Sequence, residues 1–245
     1  MPHERIQKII QNCFGLFGLT VHKKSSRRFS LEEVLEQLKN VSFTPNTCFD
    51  VGVAYGTWEL YEAFPDAKHV LIEPVQKWES TLAKIATRYD AEYYLCAATN
   101  KKGKITINVR ETELGGTSLF EEPGASVAVI PCEVPAITLD DLNKEKNYFA
   151  PYLLKIDVQG AELLVLGGAK ELLKQTDAVI VEVSLFKFYL GGPEIYDVIS
   201  FMKNQGFVIY EIFAGQNRPF DQALAQVDLC FVKENGIFRQ SHSYR

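Results

Sequence analysis

Cysteine is scarce in this chain: it has only five among 245 residues, and none of them form a C-x-x-C pair. An odd number of cysteines without close pairing argues against a disulfide-stapled secreted fold. Three of the five lie inside apolar, strand-like runs, which is typical of buried and reduced thiols. We therefore expect a cytoplasmic protein.

Long apolar runs and an excess of positive charge are also missing. No stretch reaches the roughly 18 consecutive apolar residues that a membrane-spanning helix needs, and the chain starts without the apolar segment of a secretory signal. Its 26 Lys and Arg residues are outnumbered by 31 Asp and Glu residues, giving a formal net charge of -5. Because nucleic-acid binding depends on clustered cations that neutralise phosphates, we expect no nucleic-acid partner.

From about residue 47 onward, short β-rich runs alternate with runs of helical period. Alternation of this kind is typical of βαβ units and a mostly parallel sheet. The last two strands are joined by a loop too short for a full helix, which predicts an antiparallel hairpin at the sheet edge with the seventh strand beside the fifth. Seven strands are predicted, at residues 47–53, 69–73, 91–98, 152–158, 178–184, 207–213 and 228–234.

Helix boundaries are marked by capping residues. Ser30 followed by Glu33 forms a capping box for a helix over residues 31–40. Pro193 suits the first turn of a later helix, and Gly206 suits its left-handed C-terminal cap. Between the third and fourth strands the sequence predicts two more β-like runs, 105–110 and 127–137, on either side of the glycine-containing loop 114–119.

We divide the chain into an N-terminal helical extension, residues 1–45, and an α/β domain, residues 46–245. Apolar residues of the extension recur at helical spacing and predict one apolar face. That face can pack against the domain or rest on a membrane surface, and the short stripe with interleaved acids favours packing. The stripe comprises Ile6, Ile9, Ile10, Cys13, Phe14 and Phe17.

The first strand runs into a glycine-punctuated turn with the pattern D-x-G-x-x-x-G, formed by Asp50, Gly52 and Gly56. Glycines there allow a ligand to approach the backbone, and the following helix offers unpaired N–H groups. The pattern lacks the third glycine of a dinucleotide-binding turn. Taken alone it predicts a nucleotide-like ligand or a tight turn without one.

Glu73 ends the second strand, 21 positions after Gly52. A carboxylate at this place can accept hydrogen bonds from both hydroxyls of an adenosine ribose, although an exposed strand-end glutamate is the plain alternative. Turn and acid together predict an adenosine-containing cofactor. The candidate cofactor-binding residues are Asp50, Gly52, Val53, Ala54, Gly56, Thr57, Glu73, Pro74 and Ala97.

Charged residues lie within the fourth and fifth predicted strands. Lys155 and Asp157 share one strand face, and Glu182 lies at a similar depth on the next strand. Charges within a parallel sheet are costly unless paired, so we expect Lys155 to bridge Asp157 and Glu182. These three residues, the charged layer, form either a structural ion network or part of an active site, and the two interpretations are compatible.

The segment around the fourth strand has the order K-x-D-x-Q-G-x-E. With four further motifs it resembles the FkbM family of methyltransferases. The motifs are Asp50-Val-Gly52, Glu73-Pro74, Thr138-Leu-Asp140-Asp-Leu, Lys155 to Glu162 and Val181-Glu182-Val-Ser. The resemblance implies a class I methyltransferase fold, that is, a Rossmann-like three-layer sandwich. It also implies S-adenosylmethionine as cofactor and O-methylation of a sugar, polyketide or related hydroxyl. The first turn departs from the family, which commonly has Ala-Asn where this chain has Val53-Ala54-Tyr55.

A hydroxyl acceptor needs a group that takes its proton. The positions of the four histidines do not suit this role, so Asp157 or Glu182 is the candidate catalytic base, with Lys155 setting the local field. The region after the fifth strand offers no cluster of oxygen ligands, so we expect no metal. Aromatic residues that could wall an acceptor pocket beside the loop 114–119 are Phe186, Phe188, Tyr189, Phe213 and Phe220.

Two other function classes stay open at this point. An NAD-dependent oxidoreductase shares the turn and Glu73, but it lacks the third glycine and leaves Lys155, Asp157 and Glu162 unexplained. A non-catalytic module that binds an adenosine cofactor would use the same residues. Stabilisation by S-adenosylmethionine and not by NAD would exclude the oxidoreductase.

Overall fold

A computed structural model describes residue 14, residues 27–124 and residues 127–244. Apart from Phe14, the predicted apolar stripe of the N-terminal extension lies outside these residues. Among the residues described, no helix combines the length and the apolar character that crossing a membrane requires.

The main sheet has seven strands in the order β3-β2-β1-β7-β8-β10-β9. Strand β10 is antiparallel to both of its neighbours, and the other neighbouring pairs are parallel. The prediction of a mostly parallel sheet that ends in an antiparallel hairpin is confirmed, with the seventh predicted strand beside the fifth. The strands are β1 (Thr47–Val51), β2 (Lys68–Ile72), β3 (Ala91–Tyr94), β7 (Tyr152–Ile156), β8 (Thr176–Ser184), β9 (Phe207–Asn217) and β10 (Leu224–Lys233).

Helices cover both faces of this sheet, so the domain has three layers. Helices α1, α2 and α3 pack on one face, around Leu35, Leu60 and Leu82. Helices α4 to α7 pack on the other, around Leu142, Val165 and further apolar residues. The helices are α1 (Leu31–Asn40), α2 (Trp58–Ala63), α3 (Glu79–Arg88), α4 (Leu139–Lys146), α5 (Glu162–Gly167), α6 (Lys170–Leu173) and α7 (Ile195–Asn204).

Three predicted helix ends can be compared with the structure. The capping box of α1 is present, since Glu33 N donates to Ser30 Oγ at 3.2 Å and Ser30 N donates to the Glu33 carboxylate. Gly206 has the left-handed φ of 81° that its C-terminal cap requires. Pro193 differs from its expected place, because α7 begins two residues later behind a capping box built by Glu194 and Asp197.

A second, three-stranded sheet forms from the segment between β3 and β7. It has the order β4-β6-β5 and consists of β4 (Ala97–Ala98), β5 (Gly103–Arg110) and β6 (Val129–Ile137). The predicted strand at residues 91–98 is therefore wrong as a single element: its start pairs with β2 and its end pairs with β6. The small sheet buries Ala97, Ile107 and Val134 against Val75, which follows β2 of the main sheet.

Candidate functional site

A cavity of about 250 Å³ opens at the carboxyl ends of β1, β2 and β7. Such a position is where open α/β sheets bind ligands. Gly52 begins the turn after β1 with φ 83°, and a Cβ atom there would overlap the carbonyl oxygen of Asp157. Glycine is required because the ends of β1 and β7 meet at this point. The predicted site residues that line the cavity are Gly52, Ala54, Glu73, Pro74, Ala97 and Asp157.

Glu73 is the buried carboxylate of this cavity, with 4% of its surface exposed. Its Oε2 atom accepts a hydrogen bond from Ala54 N at 3.0 Å, and its Oε1 atom accepts one from Val75 N at 2.8 Å. Burial raises the pKa of Glu73 to about 7, and the two backbone hydrogen bonds oppose that rise. Each oxygen has accepted one hydrogen bond and keeps a lone pair for a ligand hydroxyl.

Aromatic and apolar side chains form the rest of the wall. The rings of Tyr55 and Trp78 stand edge to face with centroids 4.3 Å apart, and Tyr55 is 66% exposed. On the other side the loop at residues 114–119, held by the small sheet, covers the cavity together with Ile107. Tyr55, Trp78 and Ile107 are not among the residues predicted for the site from sequence.

Four of the predicted cofactor-binding residues lie outside the cavity wall. Asp50 is fully buried on the opposite face of β1, where it accepts a hydrogen bond from the hydroxyl of Tyr61. Strand alternation explains this, because successive residues of a strand point to opposite faces. Val51 faces the cavity, so Asp50, the residue before it, faces the other side of the sheet. The other three, at the core and at the start of α2, are Val53, Gly56 and Thr57.

Lys155 lies between two aspartates. Its Nζ atom is 3.2 Å from Asp157 Oδ2 and 3.8 Å from Asp50 Oδ1. Burial disfavours the ammonium, but these two carboxylates outweigh it and raise the pKa of Lys155 above its ordinary value. The expected ion pair between Lys155 and Glu182 is not formed: Lys155 stands opposite Asp50 on β1 and opposite Ile180 on β8, which places Glu182 two residues further along.

Gln159 makes the connection that was expected of Lys155. Its Nε2 atom donates to Asp157 Oδ1 at 3.0 Å and to Glu182 Oε2 at 2.7 Å. Glu182 Oε2 also accepts from Gln226 Nε2 at 2.9 Å, and Asp228 stands opposite Glu182 on β10. Burial, followed by the charges of Asp157 and Asp228, raises the pKa of Glu182 to about 8.

The turn after β7 explains the glycine and the glutamate of the Q-G-x-E motif. Gln159 and Gly160 have positive φ angles of 51° and 97°. A Cβ atom on Gly160 would lie 2.7 Å from the ring of Tyr189, so only glycine fits. Glu162 is buried and closes the turn by accepting from Gly160 N at 2.8 Å, and burial raises its pKa to about 7.

A second cavity of about 650 Å³ adjoins the first at Gln159, which lines both. Amide side chains of Gln159, Gln216, Asn217 and Gln226 line it, together with the aromatic residues Phe188 and Tyr189. Two positively charged groups lie on its wall, and both are paired: Arg110 contacts Glu113 and Glu122, and Arg218 pairs with Asp221.

The five aromatic residues expected around an acceptor pocket lie in different places. Phe188 and Tyr189 line the second cavity. Phe186 lies beside it, under the guanidinium of Arg218 at 3.9 Å from the ring centroid, and Phe220 is 89% exposed. The expectation for Phe213 is wrong, since this residue is buried in the core between α1 and the sheet.

Comparison with known families decides the class of this chain. The family model described as "Methyltransferase FkbM domain" matches residues 50–209, which is most of the sequence.

The chain belongs to the FkbM methyltransferase family.

Its fold and family make it an S-adenosylmethionine-dependent methyltransferase of class I. The match includes the first cavity, the charged layer and the turn after β7, but it ends before β10 and the residues of the hairpin that line the second cavity.

Solved methyltransferases resemble this FkbM protein at low sequence identity. Magnesium protoporphyrin IX methyltransferase from Synechocystis PCC 6803, with bound S-adenosylmethionine, is 11% identical with a TM-score of 0.46, over 83% of this chain and 76% of that one. N-methyltransferase NodS from Bradyrhizobium japonicum WM9 is 7% identical with a TM-score of 0.45, over 82% of this chain and 93% of that one. No curated protein sequence matches this chain.

Proposed function

We propose that this methyltransferase binds S-adenosylmethionine in the first cavity and transfers its methyl group to a hydroxyl of an uncharged, polyhydroxylated compound such as a sugar. The observation that carries the cofactor assignment is the carboxylate of Glu73. It is fixed by Ala54 N and Val75 N, it lines the cavity, and each of its oxygens keeps a lone pair for one ribose hydroxyl.

The remaining wall of the cavity also suits an adenosine. The Tyr55 and Trp78 rings offer aromatic surface at its mouth, and Pro74 and Ala97 are small enough to leave room beside Glu73. We assign Asp50, Val53, Gly56 and Thr57 a supporting role, because they shape the turn and α2 without reaching the cavity. The bound cofactor would supply an electrophilic methyl group on a sulfonium.

The acceptor assignment depends on the second cavity. Planar amides and aromatic rings are suited to hydroxyls and to the apolar faces of sugar rings. The positive charges of Arg110 and Arg218 are already balanced by Glu113, Glu122 and Asp221. A phosphorylated or carboxylated acceptor would have to break these pairs, so the lining favours a neutral one.

Asp157 is the candidate base because it lines the first cavity beside Gln159, where the two cavities meet. Holding donor and acceptor in line there can contribute about 7–11 kcal/mol to lowering the barrier. Asp157 accepts the hydroxyl proton, Lys155 stabilises its carboxylate, and Glu182 completes the charged layer through Gln159.

Calorimetry with S-adenosylmethionine, S-adenosylhomocysteine and NAD tests the cofactor assignment. The first two should bind and NAD should not. Transfer of an isotope-labelled methyl group to a panel of neutral sugars, sugar phosphates and uronic acids then tests the acceptor class, and the label should enter the neutral sugars even with EDTA present. Absence of binding by either adenosyl compound would contradict the cofactor assignment, and labelling confined to charged acceptors would contradict neutrality.

A cytoplasmic location is part of the proposal. It is supported by the free thiols of Cys48, Cys96 and Cys230, which are buried as expected from their apolar surroundings. Cys132 is free but exposed on β6, where an oxidising compartment would favour its oxidation.

A further inference from the structure

Gln159 occupies the wall between the two cavities, at the point where a methyl group would pass from one to the other. Among the residues described, it is the one that lines both. Its side chain contacts Asp157 in the same turn, Glu182 on β8 and Tyr189 in the loop after β8.

Both ends of the Gln159 side-chain amide are engaged. The nitrogen has two hydrogens, and each has its own carboxylate: Asp157 at 3.0 Å and Glu182 at 2.7 Å. The oxygen accepts from the hydroxyl of Tyr189 at 3.0 Å. Because the ionised carboxylate of Asp157 can only accept hydrogen bonds, the amide nitrogen must face it, and the amide oxygen is left to accept from Tyr189.

The backbone of Gln159 is held equally closely. Its φ of 51° lies in the left-handed region, which is uncommon for a residue with a long side chain. Ser118 Oγ, from the loop that covers the first cavity, donates to the Gln159 carbonyl oxygen at 2.6 Å. Strained backbone held in place by several partners is typical of functional sites.

We infer that Gln159 is a positioning residue, whose side-chain amide holds the carboxylates of Asp157 and Glu182 in fixed places at the wall between the two cavities. The inference rests on the proposed function, in which Asp157 receives the proton of the acceptor. It assigns Gln159 no contact with the reacting atoms and no proton transfer.

The amide also governs the charge state of Glu182. The groups that face Glu182 are Asp157 and Asp228, which disfavour its ionised form, and Lys155, Gln159 and Gln226, which favour it. Removing the Gln159 donor leaves the repulsion between carboxylates less compensated. Glu182 should then keep its proton to higher pH.

The test is a titration of side-chain carboxyl carbons by NMR in protein labelled with ¹³C-glutamate and saturated with S-adenosylhomocysteine. The Glu182 signal is assigned from its absence in Glu182→Gln. In Gln159→Met the Glu182 midpoint should rise by about one pH unit, the scale of one hydrogen bond to a charged group. Tyr189→Phe should raise the Glu182 midpoint by less, because the Gln159 amide stays and loses only the hydrogen bond from the Tyr189 hydroxyl.

Gln216→Met is the matched control. It removes an amide from the second cavity that makes no hydrogen bond to Glu182, so the midpoint should stay at the wild-type value. An unchanged Glu182 midpoint in Gln159→Met and in Tyr189→Phe would overturn the inference. Should Gln159→Met not fold, Tyr189→Phe decides. Failure of the wild-type protein to bind S-adenosylhomocysteine would instead refute the proposed function, and the same titration without ligand still tests Gln159.

Discussion

At the scale of single residues, Glu73 has a pKa of about 7, so its charge changes within the neutral range. The ionised carboxylate accepts two hydroxyl hydrogen bonds, whereas the protonated acid loses one acceptor. We therefore expect the affinity for S-adenosylhomocysteine to weaken as the pH falls below about 7, approaching tenfold per pH unit. Calorimetry between pH 6 and 8 measures this.

Glu73→Gln is the control for that pH dependence. The amide is similar in shape but has no charge to lose, so its affinity should be weaker than wild type and nearly constant over the same range. A wild-type affinity that does not change from pH 6 to 8 would exclude Glu73 from the ribose contact.

Lys155 and Asp157 should respond differently to substitution. Lys155→Met leaves the fully buried Asp50 and the partly exposed Asp157 without the cation between them, and breaking a buried pair costs about 3–5 kcal/mol. Asp157→Asn keeps the shape and should lose far less stability, yet reduce turnover about 10²-fold or more if Asp157 is the base. Urea denaturation and the labelled-methyl assay measure the two effects. Near-normal turnover in Asp157→Asn would show the layer to be structural.

At the scale of elements, strand content was predictable because β-rich runs are locally encoded, but sheet membership was not. The run at residues 91–98 looks continuous in sequence, and it divides because Tyr94 ends its pairing with β2 while Ala97 pairs with β6. The pairing partner is some 40 residues away, and no local pattern reports it. For the same reason the small sheet that covers the cavity was seen only as two β-like runs.

The position of part of the candidate site was predictable from one β–turn–α–β unit. Gly52 and Ala54 follow β1 and Glu73 follows β2, and all three line the cavity because the carboxyl ends of these parallel strands lie side by side. The rings of Tyr55 and Trp78 come into contact only in the folded chain, and no local sequence pattern predicts that contact. The Lys155 ion pair was misassigned because register between β7 and β8 decides which charges are opposite one another.

The turn after β7 gives a prediction at this scale. In Gly160→Ala the new methyl group would lie 2.7 Å from the Tyr189 ring. The alanine backbone would also have to keep the positive φ of 97°. Gly206→Ala is the matched control, since its φ of 81° is similar but nothing lies within 4 Å. The control should lose about 1–2 kcal/mol from backbone strain alone, and Gly160→Ala should lose more. Equal losses in thermal unfolding would show that the contact with Tyr189 is not restrictive.

Considering the whole molecule, residues 27–29 contact the edge strand β9, whose end reaches the second cavity. Arg28 pairs with Glu211 at 3.2 Å, and Ala214 N donates to Phe29 O at 3.1 Å. Both partners lie on β9, whose last residues form part of the cavity wall. These residues of the N-terminal extension thereby stabilise the part of the sheet that the family match leaves out.

Buried carboxyls predict how the stability of the whole protein depends on pH. Burial raises the pKa of Glu73 and Glu162 to about 7 and that of Glu182 to about 8. In the unfolded chain these groups titrate near 4.3, so between pH 5 and 8 the native state binds more protons than the unfolded state. Stability must then fall as the pH rises through that window.

His69 acts in the opposite direction, since burial lowers its pKa and its charging costs stability at acidic pH. That effect fades above its ordinary pKa of 6.5, so the carboxyls dominate the interval from pH 6.5 to 8. The melting temperature of the unliganded protein should decrease across this interval, as scanning calorimetry can measure. Glu182→Gln removes the group with the highest pKa of the three, so its melting temperature should decrease less steeply. A wild-type melting temperature that rises from pH 6.5 to 8, or a slope unchanged in Glu182→Gln, would contradict the assignment of these buried acids.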